Sequence, residues 1–307
     1  MQTVSVIIPV YNEEESLPAL LGELNKLRQS LKKQKLELEL LFVDDGSIDA
    51  TVAGLRSYKK KHKKVRVVKL TRNFGATQAS KAALDYVSGD CFTFLPADLQ
   101  DPPSLVEQMA VKWQAGAKYV VSRRSSRQDS IVTRLFAFLF YRLVKMMILT
   151  DFPARGFDLF LMDRQLLPYL RDGAKNVNRA IYGYWLGYKP EYIEYERAAR
   201  TFGKSKWSLS KKIKLLIDSI VGFSIVPVRI MTVIGFLCAL ASFAYGATVI
   251  VGALLGRVTV QGFAATVTLI SFFSGLILIM LGILGEYLWR IFDEVNKKPE
   301  AVIDEVY

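Results

Sequence analysis

Residues 230–256 carry no Asp, Glu, Lys or Arg, a run of 27, and after the single Arg257 residues 258–285 are uncharged for a further 28. A helix needs roughly 20 apolar residues to cross a bilayer, so each run can span one with some tilt. The short connection near residues 256–262 predicts a helical hairpin. The competing reading is two buried core helices of a soluble protein. An apolar fraction of 51% and a mean hydropathy of +0.22 are high for a soluble chain and favour the membrane. Lys204, Lys206, Lys211, Lys212, Lys214 and Arg229 precede the first run, and Arg290, Lys297 and Lys298 follow the second. The positive-inside rule then expects both flanks, and both termini, in the cytoplasm.

The 307 residues and net charge of +12 leave room for about two domains of ~100–200 residues. Residues 1–125 alternate strand and helix signals. Residues 4–10 read as a buried parallel strand rather than a signal peptide. Leu17, Leu20, Leu21, Leu24 and Leu27 recur at helical spacing, with Glu13, Glu14 and Glu15 read as an acidic first turn. Strands are expected at 38–43, 65–70, 91–95 and 118–121, and helices at 49–58, 77–86 and 104–113. This alternation predicts an α/β, doubly wound, mostly parallel sheet, within a domain over 1–207. Residues 131–150 are apolar but keep Arg134, Arg142 and Lys145. They read either as an amphipathic helix lying on the membrane or as a core helix of the soluble domain. Residues 208–228 form a second such candidate, followed by the spans over 229–289 and a cytoplasmic tail over 290–307.

The inventory limits the chemistry. His62 is the only histidine, and Cys91 and Cys238 the only cysteines, so His-based triads, zinc sites and a disulfide framework are excluded. What remains are carboxylates, Arg and Lys, backbone amides and a carboxylate-held metal. Three polar clusters follow predicted strands, where doubly wound sheets bind ligands. They are Tyr11-Asn12-Glu13, Asp44-Asp45-Gly46-Ser47 and Asp98-Leu99-Gln100-Asp101. Carboxylates in the second can accept hydrogen bonds from a nucleobase or ribose. Oxygen ligands in the third suit a hard divalent cation, or Asp98 or Asp101 simply caps the next helix.

With Val6-Ile7-Ile8-Pro9-Val10 before the first cluster and Pro102-Pro103 after the third, the chain resembles the inverting GT-A glycosyltransferases of family 2. More narrowly it is similar to the branch of dolichol-phosphate mannose synthase and the bacterial polyprenyl-phosphate glycosyltransferases. The resemblance implies a Rossmann-like GT-A domain, with Pro9, Tyr11, Glu13, Asp44 and Asp45 lining the nucleotide. It implies that Asp98 and Gln100 face Mg²⁺ or Mn²⁺ and the diphosphate. The family usually carries an Asp two residues before Asp98, where this chain has Pro96.

Arg155-Gly156-Phe157-Asp158 resembles a family segment whose Asp, here Asp158, is a proposed catalytic residue beside the acceptor. Asn178-Arg179 and the run Arg197, Arg200, Gly203, Lys204, Ser205, Lys206 resemble phosphate-contacting segments. Arg179, Arg197, Arg200, Ser205 and Lys206 are therefore expected to bind donor or acceptor phosphates, or anionic headgroups of membrane lipids. The implied reaction transfers one sugar from a nucleotide-sugar, with a UDP-hexose the expected donor, to polyprenyl (undecaprenyl) phosphate. No nucleic-acid partner is expected, and the resemblance allows a homo-oligomer. Two alternatives stand beside it. One is a processive polysaccharide synthase, whose Gln-x-x-Arg-Trp motif is absent around Tyr184-Trp185. The other is a non-catalytic membrane scaffold that keeps a nucleotide-binding domain.

Overall fold

The structure, a computed structural model, describes residues 1–124, 138, 142–148, 159–175, 179–196, 209–255 and 262–307. β1 (Gln2–Val10) is buried without a break from residue 3 to residue 8, as a parallel strand covered on both faces must be. α1 (Leu17–Lys33) places Leu17, Leu20, Leu24, Leu27 and Leu31 on its buried face. The alternation continues through β2 (Leu36–Asp44), α2 (Thr51–Lys61), β3 (Val65–Leu70), α3 (Ala76–Ala82), β4 (Cys91–Phe94), α4 (Ser104–Gln114) and β5 (Tyr119–Arg124). The helix expected over 77–86 is shorter, because a separate 3-10 turn takes Leu84–Tyr86.

β6 (Phe160–Asp163), α5 (Leu167–Asp172), α6 (Arg179–Trp185) and β7 (Glu191–Tyr195) complete this part of the domain. The surface helix expected over 131–150 lies largely outside the described residues. Within it, residues 142–147 are helical, with Val144 buried and Met146 exposed.

Eight strands form one sheet in the order β7-β5-β6-β4-β1-β2-β3, followed by β8 (Ile303–Val306). β1 pairs parallel with both β2 and β4, and β2 pairs parallel with β3. β6 runs antiparallel between β4 and β5, and β7 pairs parallel with β5. Val4, Val6, Ile8 and Val10 share a core with α1, α2 and α4. Ile7, Leu41, Val68 and Phe92 are buried outside that cluster, and α3 packs against β1 and β2. The result is the Rossmann-like, mixed and mostly parallel sheet of a GT-A domain, with helices on both faces.

A buried carboxylate fixes the amino ends of the strands. Ser5 and Glu39 are register partners, and the Ser5 hydroxyl donates to the Glu39 carboxylate. The Ser88 amide (3.0 Å) and hydroxyl (2.6 Å) donate to it as well, and the Gly89 amide donates to Ser5 Oγ at 2.9 Å. A Cβ on Gly89 would fall 2.7 Å from the Thr3 carbonyl oxygen and against Ser5 Oγ. The loop entering β4 can therefore lie on β1 only without a side chain there.

α7 (Leu209–Phe223), α8 (Val226–Leu254) and α9 (Phe263–Val295) follow. The predicted amphipathic segment over 208–228 is thus mostly α7, and α8 begins at Val226. Residues 220–298 form one compact unit, and residues 1–219 with 299–307 form another. In the first of these, Val226–Val249 and Phe272–Val295 are each 24 residues long, with mean hydropathies of 1.9 and 1.8. Both are long and apolar enough to cross a membrane. Their apolar side chains, among them Phe236, Phe243, Phe272 and Leu278, are exposed, unlike those of the core helix of a soluble protein.

The segment read as a tail is only partly one. Residues 303–306 form β8, antiparallel on the outer edge of β3. Val302, Ile303, Val306 and Tyr307 are β-branched or aromatic, as strands favour. The strand covers backbone groups that an edge would otherwise leave open.

Glu39→Leu leaves the buried Ser5 hydroxyl without its acceptor, at about 1–3 kcal/mol, and releases the two donors of the exposed Ser88 to solvent. We expect the melting temperature of the detergent-solubilised chain to fall by at least ~2 °C, at ~2–4 °C per kcal/mol. An unchanged Tm would show that the carboxylate does not organise this end of the sheet.

Candidate active site

The loops after β1 and β2 are joined by reciprocal hydrogen bonds. Asn12 takes a left-handed conformation (φ 51°), which turns its amide toward Ser47 Oγ at 2.9 Å and its side-chain oxygen toward the Ile48 amide at 3.0 Å. The Glu13 amide donates to Thr51 Oγ1 at 2.9 Å. The Glu14 amide donates to Asp49 at 3.2 Å, and Glu14 Oε2 accepts from the Ala50 amide at 3.1 Å. Glu13, Glu14 and Glu15 thus lie ahead of α1 rather than in its first turn, which holds no acidic residue. Glu13 accepts instead from the Ser16 hydroxyl at 2.6 Å. Beside this joint Ile48 stands 90% exposed.

Asp44, Asp45 and Gly46 form the second joint. Asp44 is fully buried at the end of β2 and accepts from the Ser47 amide at 3.1 Å. Asp45 accepts from the amides of Phe74 (2.7 Å) and Gly75 (2.9 Å), so it clamps the loop that follows β3. Gly46 has φ 75°, and a Cβ there would lie 2.6 Å from the Arg72 carbonyl carbon. Only glycine lets the two loops meet this closely. Burial raises the carboxyl pKa of both Asp44 and Asp45 above the usual value. The Ser47 bonds oppose this at Asp44, and the Phe74 and Gly75 amides oppose it at Asp45.

Beyond β4, Asp98 Oδ1 accepts from the Gln100 amide at 3.2 Å around Leu99, whose φ is 56°. A non-glycine residue held there is the kind of strain that functional loops store. Asp101 is buried and accepts from the Tyr195 hydroxyl on β7. It is a loop anchor and, contrary to the alternative reading of the sequence, neither it nor Asp98 caps α4, whose N-cap is Pro103 with no side-chain cap bond. Among the described residues no three His, Cys, Asp or Glu side chains converge on a metal position. The donors at this strand end are the oxygens of Asp98 and Gln100. That hard but sparse set suits a cation that completes its shell with phosphate oxygens and water, as Mg²⁺ does.

Arg179, the first residue of α6, reaches this same end of the sheet. Its guanidinium lies over the Phe94 ring, 5.5 Å from the centroid, and donates to the Thr77 carbonyl in α3. Burial lowers its pKa to about 10, opposed by the charge of Glu300, so it stays cationic at neutral pH.

The structure brings together Pro9 and Tyr11 with Glu13 after β1, Asp44 and Asp45 after β2, and Asp98 and Gln100 after β4. Arg179 lies beside the end of β4. Asp158, Arg197, Arg200, Ser205 and Lys206 lie outside the described residues, as does Asn178. The joint-forming roles of Asn12, Ser47 and Thr51 were not read from the sequence. Their side chains act on partners more than 30 residues away, and no local pattern announces that. The sequence reading gave Asp45 to the nucleotide, whereas both of its oxygens are engaged by backbone amides.

Asp45→Ala should raise hydrogen exchange at the Phe74 and Gly75 amides by at least ~10-fold, since these lose their acceptor. Exchange mass spectrometry on peptides covering 70–80 checks this. Unchanged protection would show that Asp45 does not hold the loop.

Residues 5–170 match the sequence profile of glycosyl transferase family 2. An uncharacterized glycosyltransferase of Synechocystis is 32% identical over 307 residues, 99% of this chain and 95% of that relative. The SfII prophage-derived bactoprenol glucosyl transferase of Shigella flexneri is 34% identical over 302 residues, 98% of this chain and 97% of that one. Glucosyl-3-phosphoglycerate synthase of Mycobacterium tuberculosis, solved with phosphoglyceric acid, shares the fold. The match has a TM-score of 0.50 over 71% of this chain and 78% of that chain, at 20% identity. With its polar loops at the carboxyl ends of β1, β2 and β4 and its sequence matching over nearly full length, the chain is a glycosyltransferase and belongs to glycosyl transferase family 2.

Proposed function

We propose that the enzyme transfers one sugar, with inversion, from a nucleotide-sugar to polyprenyl phosphate at the cytoplasmic membrane face. The observation that carries this reading is the placement of a half-buried, cationic Arg179 at the strand ends that also present Asp44 and Asp98. A site for a nucleotide diphosphate needs carboxylates toward ribose and cations toward phosphate. The two apolar helices support a lipid acceptor, as does a full-length relative named a bactoprenol glucosyl transferase. The basic residues on either side of the spans support cytoplasmic termini. A UDP-hexose donor and undecaprenyl phosphate as acceptor fit the same branch. So does a product that serves cell-envelope glycan modification.

The reaction is an in-line displacement. An acceptor phosphate oxygen forms a bond to the anomeric carbon, the carbon–oxygen bond to the diphosphate breaks, and the nucleoside diphosphate leaves with the electron pair. A phosphate monoester, with its second pKa near ~6, is largely dianionic at neutral pH, so little proton abstraction is needed. Asp158 then serves to orient the acceptor or balance nearby cations rather than as a strong base. Asp44 and the loop held by Asp45 bind and orient the nucleoside. Arg179 stabilises charge on the phosphates. Asp98 and Gln100 would hold a divalent cation, Mg²⁺ or Mn²⁺, which supplies Lewis-acid stabilisation of the leaving diphosphate. Arg197, Arg200, Ser205 and Lys206 complete the phosphate contacts in this proposal. Anchoring in the bilayer raises the local concentration of acceptor.

Purified protein incubated with undecaprenyl phosphate and a panel of radiolabelled nucleotide-sugars should yield a lipid carrying a single sugar. Polymer would favour a processive synthase, and no incorporation from any donor would sink the proposal. Chelation by EDTA should abolish turnover, and Mg²⁺ or Mn²⁺ should restore it. Full activity in EDTA would remove the cation from the mechanism. Asp158→Asn should lose most turnover, at least ~10²-fold, and near-intact activity would deny it contact with the reacting groups.

A further inference from the structure

The connection from β3 to α3, residues 71–75, is held from two parts of the chain. One is Asp45, whose carboxylate clamps the Phe74 and Gly75 amides. The other comes after both apolar helices. Residues 296–298 separate the end of α9 from the segment 299–307, which belongs to the same compact unit as the sheet.

Direct bonds tie this segment to the connection and to the helix it feeds. Along β8, Glu305 opposes Lys69 and Ile303 opposes Leu70, so Asp304 is the extra residue of a bulge. A bulge bends its strand and re-aims the neighbouring groups. Past the bulge the Val302 carbonyl accepts from the amide of Thr71, the first residue of the connection, at 3.0 Å. Glu300 then pairs with Lys81 in the last turn of α3, both side chains being about four-fifths buried at 22% and 17% exposure. Lys81 also donates to the Gly173 carbonyl at 3.1 Å. The stretch is thus fixed at Thr71 and Lys81 by the end of the chain, and between them by Asp45. Other pairs seat the strand itself, Lys69 with Asp304 at 2.6 Å and Arg56 with Glu305 at 3.4 Å. Loss of Glu300 therefore leaves β8 its own means of docking.

We propose that residues 299–307 brace the donor end of the site, with Glu300 as the positioning residue that holds α3 and the 71–75 connection where Asp45 clamps them. The inference rests on the transfer reading given above, in which the loop held by Asp45 orients the nucleoside. A loop that has lost one of its ties must be ordered by the ligand, a cost that falls on binding. The acceptor and the bond-breaking step are not touched by it.

The test uses the full chain in detergent with radiolabelled UDP-glucose, or the donor found active in the panel, and undecaprenyl phosphate. Glu300→Gln should raise the donor KM about fivefold, with kcat and the acceptor KM within about twofold, as loss of uniform donor binding requires. Exchange at amides 71–75, read on peptides covering 70–80, should rise at least ~3-fold. Lys81→Met should reproduce the KM effect, and the double variant should add little to it, because contacting residues are non-additive. Glu305→Gln, which removes a charge from the same strand, should behave as wild type. An unchanged donor KM in Glu300→Gln, unchanged exchange at 71–75, equal rises in donor and acceptor KM, additive single effects or a matching effect in Glu305→Gln each overturns the inference while the transfer reading stands. No product from wild type with any donor sinks the transfer reading, and the role in donor binding with it.

Discussion

Parallel neighbours in a sheet cannot be joined by a tight turn, so each strand is followed by a crossover that returns over one face. β1 is paired this way on both sides, with β2 on one flank and β4 on the other. Every loop that leaves these strands therefore emerges at the same end. The chain changes direction across the sheet beside β1, which opens a crevice there. Pro9, Asp44 and Asp98 reach one end of the molecule for this reason alone, although 89 positions separate the first from the last. β6 departs from the pattern by running antiparallel between β4 and β5. Its Asp163 closes the opposite end by accepting from Trp113 Nε1 at 2.8 Å and Lys118 Nζ at 3.1 Å.

The crevice is acidic, yet most of its acidity holds loops. Asp45 clamps two amides, Asp49 accepts from the Thr51 amide at the start of α2 at 3.0 Å, Glu13 holds Ser16 and Asp101 holds Tyr195. A carboxylate engaged in this way sets where its neighbours stand. In the proposed reaction a nucleotide diphosphate, itself anionic, would meet a rim whose negative charges are already matched by amide and hydroxyl donors. Arg179 would then add positive charge at the proposed phosphate position. That division of labour reconciles an acidic motif set with an anionic ligand.

The alternating half of the chain was legible because its signals are local. Leucines at helical spacing gave α1 but not its bounds, since it starts after Glu13–Glu15 and runs on to Lys33, and apolar runs gave β1 to β4. The three polar clusters were found because strand ends are where such sheets bind. What escaped was decided by contacts distant in sequence. β6 is four residues long and apolar, and nothing local distinguishes it from a helix fragment. β8 was read as part of the tail; two of its four residues are acidic, and their partners Lys69 and Arg56 lie more than 200 residues away in the chain. The joints at Asn12 and Asp45 likewise depend on partners that the sequence does not place. The chemistry was read from resemblance more than from pattern, and Pro96 marks where pattern and resemblance part.

β8 lies downstream of both apolar helices in the chain, while the edge it covers is made long before them. During synthesis from the amino end, β3 keeps an open edge until residues 220–298 have been made. At ~5–20 residues per second, the roughly 230 residues between β3 and β8 make that wait about 10–50 seconds. Glu300 reaches Lys81 only after that interval. Chains that stop within the apolar helices would carry the three strand-end motifs with an unpaired edge and without the ion pair at Lys81. Completion of the sheet thus reports that the hydrophobic hairpin has already been built.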